Sequence, residues 1–242
     1  MRLSRRLILS CGLVLVAAAA ARAQAPPLAT PGPCVEGSLP AGARSMMCVP
    51  SDRWNGSLVV FAHGYVPPQE PLQFAHLQLA DGTDLPTLVQ QLGFAFATTT
   101  YRQNGLSVLE GVEDIRNLVD AFRTRQGLPP DRVFLTGASE GGLVAVLAAE
   151  AAPHLFTAAY ALCAPVGYFG LQINYVGDFR VLYDAMFPTA AIPGSAIDIP
   201  PVVQDAWRSG DLRARVADVL ASNPTRAREL LRVARAPYDP AP

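Results

Sequence analysis

Apolar and polar positions alternate along this chain in blocks that predict a regular succession of strands and helices. Leu58-Val59-Val60-Phe61-Ala62 is a continuous apolar run closed by His63-Gly64, the pattern of a strand buried on both faces. Before it, Cys34 to Gly37 and Ser45 to Val49 are short strand candidates around Pro40-Ala41-Gly42. Asp84 to Leu92 predicts a short helix with Asp84 as N-cap and Gly93 as terminator, and Phe94 to Thr98 the next strand. Ser107 and Glu110 have the spacing of a capping box. Val108, Val112, Ile115, Val119 and Phe122 then recur at helical spacing until Gly127 and Pro129-Pro130. Val133 to Thr136 is a strand, Leu143 to Glu150 a helix, and Thr157 to Cys163 a further strand. Such an alternation predicts a mostly parallel sheet with helices on both faces over residues 24–165.

After Pro165 the pattern changes. Tyr168, Phe169, Leu171, Ile173, Tyr175, Phe179, Tyr183 and Phe187 form an aromatic-rich stretch with helical tendency. Two helices, Asp211 to Leu220 and Asn223 to Arg235, are expected after it, and no strand pattern returns. There is no internal repeat.

The start of the chain stands apart from the fold. Met1 to Arg6 is basic, Leu7 to Ala21 apolar, and Ala21-Arg22-Ala23 a small-x-small cleavage site, so residues 1–23 read as a signal peptide. Ser4-Arg5-Arg6-Leu7 also fits a twin-arginine signal. The expected location is secreted or periplasmic, with no membrane partner once the signal is cleaved. Ala25 to Pro33 reads as a flexible lead-in. In an oxidising compartment Cys34 and Cys48 could close a short loop across the first hairpin, whereas Cys163, in an apolar strand, is expected to be a buried free thiol. Asn55-Gly56-Ser57 fits a glycosylation sequon and also a turn; the turn is the reading adopted.

Charge excludes little but directs attention. The basic residues are all arginine, and those after position 23 number 15 against 20 acidic residues, a net charge of −5. A mildly acidic chain does not advertise nucleic acid as partner. No C-x-x-C or H-E-x-x-H spacing suggests zinc, and no cofactor is implied.

The candidate chemistry lies in Gly137-Ala138-Ser139-Glu140-Gly141, between the run Val133-Phe134-Leu135 and the helix-forming stretch from Leu143. Strand, glycine-flanked turn and helix is the context in which G-x-S-x-G becomes a nucleophile elbow. The serine then sits in a strained conformation, and its neighbours lack side chains where strand and helix pack closely. Ser139 is the expected nucleophile.

These features resemble a known family. The strand ending in His63-Gly64-Tyr65, the turn Tyr101-Arg102-Gln103-Asn104-Gly105 and the elbow at Ser139 look like an α/β-hydrolase of the secreted esterase and prolyl-oligopeptidase-like type. The resemblance covers roughly residues 34–165, the first six strands of that fold. It implies a helical cap in the segment 166–242, with the chain ending before the last core strands. It also implies oxyanion-hole donors at the N–H of Glu140 and of Tyr65, with His63 and Gly64 shaping the supporting loop. In this fold the acid and the histidine follow the serine, in that order. His154 alone follows Ser139, and the intervening helix carries it to the opposite end of the sheet; His63 and His76 precede the serine, and Asp178 and Asp184 lie in the cap. The expectation is therefore a serine hydrolase of carboxylic esters presented as a fragment without its catalytic Asp and His, inactive alone. Other readings are a prolyl-oligopeptidase-like serine peptidase, a non-catalytic binding module on the same fold, or recruitment of His63 or His76 as base. The expected partner is a small ester or a short peptide.

Overall fold

The structure is a computed structural model that describes residues 27–126 and 129–236. The signal peptide 1–23, the helix stop at Gly127 and the terminal stretch from Pro237 lie outside the described residues.

Six strands form one sheet: β1 (Cys34–Ser38), β2 (Arg44–Cys48), β3 (Ser57–Ala62), β4 (Ala95–Thr99), β5 (Arg132–Ala138) and β6 (Ala158–Leu162). Their spatial order is β1-β2-β4-β3-β5-β6. β1 pairs antiparallel with β2 and β2 antiparallel with β4, while the remaining pairs are parallel. The helices joining them are α1 (Leu85–Gln91), α2 (Val108–Gln126) and α3 (Glu140–Ala151). This is the α/β-hydrolase-type fold.

Alternation along β3 shows how the layers form. Leu58 and Val60 point to the core shared with α2 and α3, where Ile115, Leu118, Val119 and Phe122 are fully buried beside Val144, Ala145 and Ala148. Phe61 and Val59 point to the other face and meet Val89 of α1, with Phe96 and Cys48. A strand covered on both faces needs apolar residues at every position, hence the unbroken run from Leu58 to Ala62. At the turn before it, the Asn55 carboxamide accepts the Ser57 N–H (2.9 Å) and Gly56 takes φ +76°. Asp84 caps α1 by accepting the Thr87 N–H at 3.0 Å.

The C-terminal helices are α4 (Phe169–Met186), α5 (Pro201–Ser209), α6 (Asp211–Ser222) and α7 (Pro224–Val233). They have their own small core, Tyr183, Phe187 and Leu230, with Phe179, Leu220 and Val216 packed against it. The sequence pattern did not announce α5. Its short amphipathic stretch begins at Pro201, directly after Pro200, and ends at Gly210 with φ +95°, so nine residues are all it has to display a period.

Two local expectations are corrected. The Ser107–Glu110 capping box is not made: the Ser107 hydroxyl is buried without a partner. Instead the Ser107 N–H donates to the Glu140 carboxylate at 2.8 Å, a partner from the elbow. Cys163 is a free thiol but exposed, not buried. β6 has a single strand neighbour and its outer face is open, with Tyr160 66% exposed.

The candidate active site

Ser139 lies between the end of β5 and the start of α3, with φ 56° and ψ −124°. That conformation is costly for a residue with a Cβ and persists only where the surroundings enforce it. Its N–H donates to the Leu162 carbonyl (2.9 Å), and its carbonyl accepts the N–H of Gly142 and Leu143. The neighbouring glycines are required by space. A Cβ on Gly141 would overlap the carbonyl oxygens of Ala62 and His63, and one on Gly137 would overlap the backbone of Gly141. A Cβ on Gly142 would stand 2.7 Å from that of Ala164. The elbow is thereby pressed against the end of β3, and Ser139 is exposed at the turn.

The loop after β3 is the facing wall. His63 is 2% exposed, and its ring lies 4.0 Å from that of Tyr101, centroid to centroid, nearly parallel. Its Nδ1 donates to the Gly64 carbonyl at 2.7 Å, which fixes the proton on that nitrogen of the neutral ring. Burial holds its pKa below the usual histidine value, and Nε2 is left buried without a partner. A ring so placed supports the loop. The Tyr101 hydroxyl donates to the His63 carbonyl (3.1 Å), the Gly105 N–H to Val66 (2.8 Å), and the Asn104 carboxamide to the Glu70 carbonyl (2.8 Å). The Tyr101–Gly105 turn thus holds the His63–Glu70 loop in place. It is itself anchored to α2: Arg102 contacts buried Asp114 through its backbone N–H (2.8 Å) and its guanidinium (2.7 Å).

Glu140 closes this circuit. Its Oε1 accepts the Ser107 N–H, its Oε2 is buried and unpartnered, and burial raises its pKa. The side chain therefore ties the elbow to the start of α2, while the Glu140 N–H, first of α3, has no intrahelical acceptor. Fixed N–H groups at a helix N-terminus suit a developing oxyanion. Tyr65, the other expected donor, is 46% exposed and lines the same cleft as Ser139.

That cleft has a volume of about 520 Å³ and is mainly apolar, with Phe61, Leu79, Leu85 and Leu162 around Ser139. His76 also lines it. His76 Cε1 and Ser139 Cβ lie 3.9 and 3.7 Å from the point where a Cβ on Gly64 would sit. His76 has φ 59°, outside the usual region for a residue other than glycine. Its place beside the serine was not legible in the chain, where it stands 63 residues earlier in an irregular loop. His154 follows the far end of α3, and twelve helical residues at 1.5 Å each carry it about 18 Å from the elbow. Asp184 is engaged within α4, bonded to Arg180 at 2.7 Å, and also accepts the Ile192 N–H. Among the described residues no group of three or more His, Cys, Asp or Glu could hold a metal ion, and no helix is long and apolar enough to cross a membrane.

Residues 89–170, which include β5, the elbow and β6, match the prolyl oligopeptidase family. No curated protein sequence matches the chain. Among solved structures, an esterase from Pyrococcus furiosus is 15% identical, with 64% of this chain and 56% of that one covered and a TM-score of 0.44. An acetyl xylan esterase from Aspergillus awamori is 21% identical over 53% of this chain and 50% of that one, with a TM-score of 0.37. Oligopeptidase B from Leishmania major is 14% identical over 53% of this chain and 19% of that one, with a TM-score of 0.39. The chain spans at most 56% of the length of these three structures. The matched family segment and the strand order agree on an α/β-hydrolase-type fold.

Proposed function

We propose that the chain is the core of an exported serine hydrolase that cleaves carboxylic esters through an acyl-serine intermediate. The observation that carries this is the conformation of Ser139, strained and held by glycines whose Cβ atoms would collide with β3. Its hydroxyl attacks the ester carbonyl, and the N–H groups of Glu140 and Tyr65 receive the oxyanion. The alcohol leaves as the acyl-serine forms, and water then releases the acid. An uncharged, partly apolar substrate suits the apolar cleft. Of the three histidines, His63 is buried in a structural role, His154 is remote, and His76 alone lines the serine cleft. In the exported protein the helices α4–α7 serve as a cap, and the Cys34–Cys48 disulfide is consistent with an oxidising compartment.

A second reading, favoured by the position of His76 in the same cleft, gives that histidine the role of base. Hydrolysis of p-nitrophenyl acetate by the full chain, Ser139→Ala and His76→Ala separates the two. Any turnover present must vanish in Ser139→Ala. Loss in His76→Ala as well assigns the base to His76, and an unchanged rate there assigns it elsewhere. Turnover that survives in Ser139→Ala overturns the proposal.

A further inference from the structure

Glu140 is 5% exposed at the start of α3, with one carboxylate oxygen on the Ser107 N–H at 2.8 Å and the other without a partner. A buried carboxylate satisfied on one oxygen only costs stability, and an apolar side chain would fill the same space without that cost. A local cost kept beside a reacting group points to a role in the reaction.

The path that leaves this contact ends at the expected oxyanion site. Ser107 stands two residues after Gly105, whose N–H donates to the Val66 carbonyl at 2.8 Å, the two residues forming an antiparallel bridge. Val66 directly follows Tyr65. Further back on the same loop, the Tyr101 hydroxyl holds the His63 carbonyl at 3.1 Å. Burial pushes the Tyr101 phenol well above its usual pKa, and the nearby charge of Glu140 adds to this, so the carboxylate also stands close to the ring that supports His63. The loop after β3 is therefore tied to the elbow at two places. At its root, Gly141 lies so near the Ala62 and His63 carbonyls that no Cβ fits. At Tyr65-Val66 the tie runs through the segment 105–107 to the Glu140 side chain. The root contact alone would leave the Tyr65 end of the loop free to pivot.

We infer that the Glu140 side chain is a positioning residue for acyl transfer: by holding the Ser107 N–H it sets the distance between the two oxyanion donors, its own N–H and that of Tyr65. This rests on the proposed reaction at Ser139. One residue supplies a donor with its backbone and locates the other donor with its side chain. The contact needs only an acceptor oxygen at the end of a side chain of this length, so glutamine serves and an apolar residue does not.

The test labels the full chain with an ethyl phosphonofluoridate, whose phosphoryl oxygen takes the place of the ester carbonyl oxygen. The maximal labelling rate at Ser139 is separated from the half-saturating concentration. A donor displaced by about 1 Å costs up to about 100-fold, so Glu140→Ala should label about 10- to 100-fold more slowly at saturation, with half-saturation unchanged. Glu140→Met fills the space without a strong acceptor and should be slowed equally; it carries the test should the alanine variant fail to fold. Glu140→Gln should retain most of the wild-type rate, which a requirement for the charge would not allow. Hydrogen exchange reads the path apart from the chemistry: the Gly105 N–H should exchange faster in the alanine and methionine variants than in wild type or Glu140→Gln, with β3 and β5 unchanged. Wild-type maximal rates in the alanine and methionine variants, or a glutamine variant as slow as alanine, overturn the inference and leave the proposed function standing. Unchanged Gly105 exchange overturns the path to Tyr65. Absence of a Ser139 adduct on wild type overturns the proposed function, and the inference with it.

Discussion

Replacing Glu140 with alanine should destabilise the protein by about 1–2 kcal/mol, and replacing it with glutamine by less than half as much. Glu140 Oε1 accepts the Ser107 N–H at 2.8 Å in a buried setting, and a hydrogen bond to a charged group is worth about 1.5–3 kcal/mol. Alanine leaves that N–H without an acceptor. Part of the loss is returned, because the carboxylate is desolvated and its second oxygen has no partner. Glutamine keeps the acceptor and removes the charge. The pH dependence follows from the raised pKa of Glu140: the folded state holds its proton where the unfolded chain has released it. The stability this contributes is fully present below the ordinary value of 4.5 and is lost as pH rises through the folded value. The stability of wild type relative to Glu140→Gln should therefore fall between pH 4 and pH 7. Urea titrations followed by far-ultraviolet circular dichroism at several pH values measure both effects. An alanine variant as stable as wild type, or a difference from glutamine that rises with pH, would refute the reasoning.

Arg102→Met should cost about 3–5 kcal/mol, because Asp114 is completely buried and would keep its charge unpaired; adding Asp114→Leu should recover most of that loss in the same urea assay. Mass spectrometry of exported protein should show Cys34 joined to Cys48, with Cys163 alkylated without reductant; reduction should then cost about 3 kcal/mol for a loop of this length. His63 has a depressed pKa from burial, so its contribution is present above the ordinary value of 6.5 and is lost as pH falls through its folded value. Thermal melts between pH 7 and pH 5 should fall less steeply for His63→Phe than for wild type.

What the chain made legible was governed by local rules. The run Leu58–Ala62 and the spacing from Val112 to Phe122 identify their elements because burial on both faces, or on one stripe, restricts every position. The elbow was legible for the same reason: glycines at 137 and 141 meet a steric demand that leaves its mark in sequence. The long-range pairings were not. Ser107 has a helix-capping partner at the expected spacing in Glu110, yet its N–H is taken by Glu140, 33 residues away and buried beside it. Cys163 follows an apolar strand, but that strand is the sheet edge, and apolar composition alone does not tell a central strand from an edge. His76 reaches the serine cleft through an irregular loop whose path no periodicity describes.

The claim on which the account depends is that Ser139 is the reacting serine. Its most direct test is to treat the folded full chain with an alkyl phosphonofluoridate and map the adduct by peptide mass spectrometry. An oxyanion hole and binding alone retain about 10³–10⁴-fold catalysis over water, so labelling should concentrate on Ser139 even with an incomplete set of acid and base. The account predicts a single adduct on the peptide containing Ser139, absent from Ser139→Ala. An adduct on another serine, or equal labelling of wild type and Ser139→Ala, would contradict it.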